Sequence, residues 1–151
     1  MKERESLTIK DAENAQNAIL SLIMNYPNFP KSFEASNETI KWGDISPKLS
    51  IGLFPLQGAA YLEKYVDGTY LGQMPVQIIL NASPTTNKAG IDAQVLLSDM
   101  GKWLEKCDIS FQKTNIWLEG IERTSTVYQV KIDEKTNGFG MNINMKYTAE
   151  S

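Results

Sequence analysis

A chain of 151 residues, 42% hydrophobic and 22% charged, with no apolar run near the roughly 18 residues that a membrane-spanning helix needs, reads as one ordinary domain that needs no metal or disulfide staple. With 18 acidic against 15 basic residues the formal charge is −3, so the positive excess that would neutralise phosphates is missing and no sequence-specific nucleic-acid partner is expected. There is no histidine, which removes the commonest general base and transition-metal ligand, and Cys107, the one cysteine, allows no intrachain disulfide.

The charge-alternating residues 1–7 are expected to be flexible and carry no secretory leader pattern. Over residues 8–25, Ala12, Ala15, Ile19, Ile23 and Tyr26 recur at three- and four-residue steps, which predicts an amphipathic helix ended by Pro27. Residues 28–48 are rich in Pro, Ser, Asn and Asp and predict a loop with one short strand over residues 39–42. A strand follows over residues 50–55, and then Asp67-Gly68 divides two strand runs, residues 59–66 and 69–82. With Asp67 and Gly68 as the central turn residues, Tyr65 faces Tyr70 and Tyr61 faces Met74. Met74, Val76, Ile78 and Leu80 then share an apolar face, while Leu71, Gln73, Gln77, Ile79 and Asn81 lie on the other. Pro75 cannot donate to a ladder and so marks an edge, a bulge or an outward-facing position.

From residue 88 to 106, Ala93, Leu96, Met100, Trp103, Leu104 and Cys107 form a second helical stripe, with Asp92 near the start and Lys102 and Lys106 near the end suiting the helix dipole. Cys107 reads as a small packed hydrophobe rather than a nucleophile. Ile116 and Leu118 alternate in a strand over residues 115–121. Asn137-Gly138 then sits between two alternating runs, and as a type I′ turn it would oppose Ile132 to Ile143, Val130 to Met145 and Tyr128 to Tyr147. The polar tail after Tyr147 is expected to fray. Strands in hairpins with two principal helices between them predict a single α+β domain over residues 1–151: a mainly antiparallel sheet with the helices packed on one face.

The chemistry-bearing motifs are weak. No nucleophile elbow, phosphate loop, dinucleotide fingerprint or zinc-spaced cysteine pair occurs, and no cofactor is expected. The run from Asp133 imitates a calcium loop, but Lys135 occupies a ligand position and Asn144 stands where a bidentate glutamate belongs. Asp92 and Asp99 share a helical face, and Glu119 and Glu122 flank a strand, where alternation sends them to opposite sides. Both pairs read as solvated acids, and the chain is not expected to be an enzyme. Tyr61, Tyr65 and Tyr70 gather at one hairpin with Lys64 as their only basic neighbour, which favours packing over nucleic-acid stacking.

The run Tyr65-Val66-Asp67-Gly68-Thr69-Tyr70, the apolar strand to Ile79, the helix ending Leu96-Leu97-Ser98-Asp99-Met100-Gly101-Lys102-Trp103-Leu104, and Gly120-Ile121-Glu122-Arg123-Thr124-Ser125-Thr126 before the closing hairpin resemble, in order and pattern, the bacteriophage minor capsid proteins related to siphophage tail terminators. The resemblance implies an α+β subunit that forms a homo-oligomeric ring, commonly of six, with phage tail-tube and head-completion proteins as partners. It implies residence in the virion after assembly in the host cytoplasm. The surface expected to oligomerise is the Asp67-Gly68 hairpin and the non-core face of its second strand: Tyr65, Asp67, Gly68, Thr69, Leu71, Gln73 and Ile79. The alternative is a monomeric module that binds a small ligand or peptide through residues 28–48 with Trp42.

Overall fold

The computed structural model describes residues 16–29, 33, 35–36, 39–45, 50–58, 61–81, 87–107, 116–132 and 137–150. They form two helices, α1 (residues 16–24) and α2 (Asn87–Lys106), and seven strands. The strands are β1 (Ile40–Trp42), β2 (Ser50–Pro55), β3 (Tyr61–Lys64), β4 (Tyr70–Asn81), β5 (Ile116–Arg123), β6 (Tyr128–Lys131) and β7 (Asn137–Ala149). All seven strands join one sheet. Every pairing is antiparallel except β1 with β2. The fold is therefore mixed α+β, with α2 packed on β5 and β7.

The long strands β4 and β7 pair at the centre, and each takes two short strands in succession along its other edge. β2 lies along Val76–Asn81 of β4 and β3 along Tyr70–Gly72, while β6 and β5 divide β7 in the same way. Pro75 falls at the changeover between β2 and β3. Its carbonyl accepts from the Leu56 amide at 2.9 Å, and since N and O of one strand residue point the same way, its missing N–H faces that gap and removes no bond to β7. Gly72 is equally compatible with a continuous strand, because the Tyr147 ring lies where its side chain would stand.

Period-two patterning decides which face of the sheet is covered. Tyr70, Val76, Ile78 and Leu80 of β4 and Phe139, Met141, Ile143, Met145, Tyr147 and Ala149 of β7 are buried with Ile19 and Ile23 of α1 and Ala93, Leu97, Met100 and Leu104 of α2. Gly101 of α2 lets the helix sit close, since a Cβ there would meet Met141 Sδ and Arg123 Cδ. Edge-on aromatic contacts of Tyr26 with Trp103 at 5.4 Å and with Phe29 at 5.1 Å tie the exit of α1 to α2. The first half of the predicted N-terminal helix lies outside the described residues. Asp92 falls in the second turn of α2 rather than at its start, so the helix begins with no acidic residue in its described first turn.

Two registers differ from those the turn dipeptides predict, and a third strand departs from simple alternation. The β3–β4 hairpin closes through a three-residue loop over residues 66–68 rather than the dipeptide, so Lys64, not Tyr65, faces Tyr70, and a bulge between Tyr61 and Glu63 shifts the pairing again, to Tyr61 with Gly72. Asn137 and Gly138 belong to β7, where they face Lys131 and Val130, and Tyr128 faces Gly140 instead of Tyr147. That displacement is odd (147 − 140 = 7), so Tyr128 and Val130 move to the face away from Met141 and Ile143. Gly138 and Gly140 are small because Ile132, Tyr128 and Val130 lie over them. A bulge between Leu118 and Gly120 reverses the alternation of β5, which places Glu119 and Glu122 on the same face rather than opposite ones. The expected fraying after Tyr147 is also replaced by pairing: Ala149 is fully buried between Tyr70 and Ile116.

Candidate functional site

The face of the sheet away from the helices, hereafter the outer face, is built from amides and hydroxyls. Asn144 Nδ2 donates to Gln73 Oε1 at 2.9 Å. Gln77 Nε2 donates to the Tyr128 hydroxyl at 2.9 Å, which in turn donates to Asn142 Oδ1 at 2.5 Å. The Ser125 hydroxyl accepts from the Asn142 backbone N–H at 2.9 Å. This network exists because the odd register of β6 delivers Tyr128 to the outer face. Asn144 is buried and its Oδ1 has no partner among the described residues. Asn81, which begins an Asn-x-Ser glycosylation pattern, is fully buried on the same face beside Ser50.

At one end of this face stands the β3–β4 hairpin. The Tyr65 amide donates to Thr69 O at 2.8 Å, the Gly68 amide to Tyr65 O at 3.1 Å and the Thr69 amide to Asp67 Oδ1 at 3.0 Å. Gly68 has φ +93°, the left-handed conformation that a three-residue hairpin loop needs at its last position. The loop is thus fixed by its own bonds, yet it presents apolar side chains: Val66 at the apex is fully exposed, and Leu62 and Tyr65 are exposed below it. An aliphatic residue in a tight turn is unusual, since turns favour Pro, Asp, Asn, Ser and Gly.

Of the residues expected to form the assembly surface, Tyr65, Asp67, Gly68 and Thr69 lie in this loop, and Leu71 and Gln73 follow half-buried on the outer face. Ile79 is separate. It lies eight residues beyond Leu71, roughly 27 Å along the strand, and is buried across from Gly52 and Gly140, so it is closed to a neighbour. The surface expected from the sequence omits Leu62, Glu63, Val66, Trp117 and Glu119, the last read there only as one of a solvated acid pair, although all five stand at the hairpin end of the sheet. Of these only Val66 left a signal, as a hydrophobe in a turn.

The remaining acidic candidates have structural partners. The Tyr26 hydroxyl donates to Asp99 Oδ2, and Asn28 Nδ2 donates to the same oxygen at 3.2 Å. These bonds, Tyr26 first, hold the Asp99 carboxyl below its usual range, while burial and then the Asp99 bond and charge push the Tyr26 phenol well up. Asp99 is therefore a bracket between the end of α1 and α2. Asp92, exposed and about 10 Å away along the helix, is not brought to it. Glu122 pairs with Lys146 at 3.1 Å and Glu105 with Arg123 at 2.7 Å. Burial raises the Cys107 thiol, in keeping with a packed side chain. Trp42 packs partly buried against the core. Asp133 and Lys135, of the calcium-like run, lie outside the described residues. Among the described residues no cluster of metal-ligating side chains occurs, and no helix is long and apolar enough to cross a membrane.

No protein-family model matches the chain, and no curated protein matches it. One solved structure, whose designation describes no function, aligns over 75% of this chain and 79% of its own at 9% identity and a TM-score of 0.37. A likeness that slight carries no argument about this protein.

Proposed function

We propose that this chain is a non-enzymatic structural subunit of a phage virion, a tail terminator or head-tail joining component that assembles into a homo-oligomeric ring. The observation that supports the reading is the β3–β4 hairpin: an internally bonded loop that holds Leu62, Tyr65 and Val66 out into solvent beside a sheet face on which neither described helix packs. Exposed apolar residues on a pre-ordered element bury area in a contact at little entropic cost. The same face is polar and specific in shape, as a subunit interface rather than a core would be. The succession of motifs from Tyr65 to Tyr147 adds the resemblance to the phage family.

The test is the solution mass by light scattering across a concentration series. The subunit is 16.9 kDa, and six of them would weigh about 101 kDa (6 × 16.9). Assembly that is lost on Leu71→Lys or Val66→Asp, with the fold retained, is the expected result. A wild-type chain that stays at subunit mass throughout overturns the reading.

A further inference from the structure

The strand registers set one row of side chains across the outer face at its hairpin end. Glu63 on β3 faces Leu71 on β4, Leu71 faces Thr148 on β7, and Thr148 faces Trp117 on β5. At about 4.8 Å between strands the row spans roughly 14 Å. The β5 bulge swings Glu119 into it: Glu119 Oε1 accepts from the Thr148 hydroxyl at 2.6 Å and from the Trp117 indole N–H at 2.9 Å. At the opposite end Glu63 Oε2 accepts from the Tyr65 hydroxyl at 2.6 Å. The row therefore has a carboxylate towards each end, Leu71 as an apolar floor between them, and an exposed aromatic ring hydrogen-bonded to each carboxylate.

Both carboxylates are held by neutral donors. Among the described residues neither faces a cation, whereas Glu105 and Glu122 are paired with Arg123 and Lys146. The Tyr65 phenol lies above its usual value, chiefly through its bond to Glu63, with burial and the charges of Glu63 and Glu119 adding, so both carboxylates act at one point. Two uncompensated carboxylates over an apolar floor, beside two aromatic rings, suit an ammonium or guanidinium group carried on an aliphatic stem.

A matching pair of cations stands on the other layer. Lys102 and Lys106 are exposed one turn apart on α2; the charge of Lys102 is felt by Asp99 on the same helix, but neither lysine closes an ion pair among the described residues. The cradle lies on the face away from the helices, so these lysines belong to a different side of the subunit. A contact between them joins unlike surfaces, the head-to-tail geometry that closes into a ring. We infer that Lys102 and Lys106 of a second copy enter the cradle formed by Glu63, Leu71, Glu119, Tyr65 and Trp117. The inference rests on the ring-subunit reading and names its contact.

The experiment is charge-swap complementation with the full chain, read as mass by light scattering at low micromolar concentration. E63K/E119K alone and K102E/K106E alone are each expected to fall toward subunit mass, with the apparent dissociation constant raised on the order of tenfold or more. Their equimolar mixture is expected to regain the wild-type mass. Glu63→Lys alone, at an exposed β3 position, carries the acidic arm if Glu119→Lys disturbs the bulge, and thermal melts confirm that each variant is folded. If wild type assembles but either charge reversal leaves it intact, or the mixture stays apart, the contact is wrong and the ring reading stands. If wild type is a monomer at every concentration, both fall.

Discussion

The two faces of β4 solve the problem of a sheet surface in different ways. On one, Tyr70, Val76, Ile78 and Leu80 disappear beneath two helices, and adhesion comes from apolar area removed from water. On the other, Gln73 and Gln77 join Asn142, Asn144 and Tyr128 in a hydrogen-bonded lattice on which neither described helix packs. The covered face is tolerant in detail and demanding in volume; the outer face is the reverse, since each amide has one geometry that satisfies it. A face of the second kind could go from wet to dry in the assembly proposed above without refolding.

The strongest way to sharpen this contrast is to cut the covered face. Leu104→Ala, at a fully buried position of α2, is expected to lower unfolding free energy by about 2–5 kcal/mol in urea titrations. On the outer face Tyr128→Phe removes the hub of the Gln77–Asn142 link, and a loss of about 1–2 kcal/mol is expected. Gly68→Ala forces a side chain into the left-handed region and should cost roughly 1 kcal/mol, seen as a lower melting temperature. Val66→Ser at the apex should change the stability of the fold by no more than about 0.5 kcal/mol while weakening the proposed assembly, which separates the two effects in one variant.

A pH series tests the bracket between the helices. The folded-state Asp99 carboxyl lies below its unfolded value, through Tyr26 first and Asn28 second, so its contribution is present above the unfolded carboxylate range and fades as pH falls through the lower folded value. Tyr26→Phe is expected to flatten that acid limb of stability, measured as urea midpoints from pH 7 down to about pH 3. An unchanged acid limb would mean that the bond does not couple to folding.

The covered face was legible in the sequence and the outer one was not, for a physical reason. Helical stripes and the alternation of β4 are local periodicities, so Ile19, Ile23, Leu104, Val76, Ile78 and Leu80 could be assigned to the core from spacing alone. Register depends instead on loop length and on bulges, where one residue changes the face of all that follows. The choice of residues 66–68 over Asp67-Gly68, the placement of Asn137 and Gly138 inside β7, and the bulge at Glu119 each had this effect. Glu63, Leu71, Thr148 and Trp117 become neighbours only when four strands are in register, and that meeting has no trace in any one segment. The Asp67-Gly68 dipeptide signals the existence of the β3–β4 hairpin but not its register, whereas Ile79, which alternation puts on the same face, lies far along the strand and is closed over.

The central pairing of β4 with β7 has a kinetic consequence. Its partners range from Leu80 with Phe139 to Tyr70 with Ala149, separations of 59 (139 − 80) to 79 (149 − 70) residues. No short turn can nucleate such a ladder, so the loop-closure entropy must be met before any of its bonds form. The β2, β3 and β4 segments can meet early through short connections, but β4 then waits with one long edge open. In that interval it is an adhesive strand, and the rate at which β7 arrives governs how much of the chain reaches the native sheet rather than another molecule's edge.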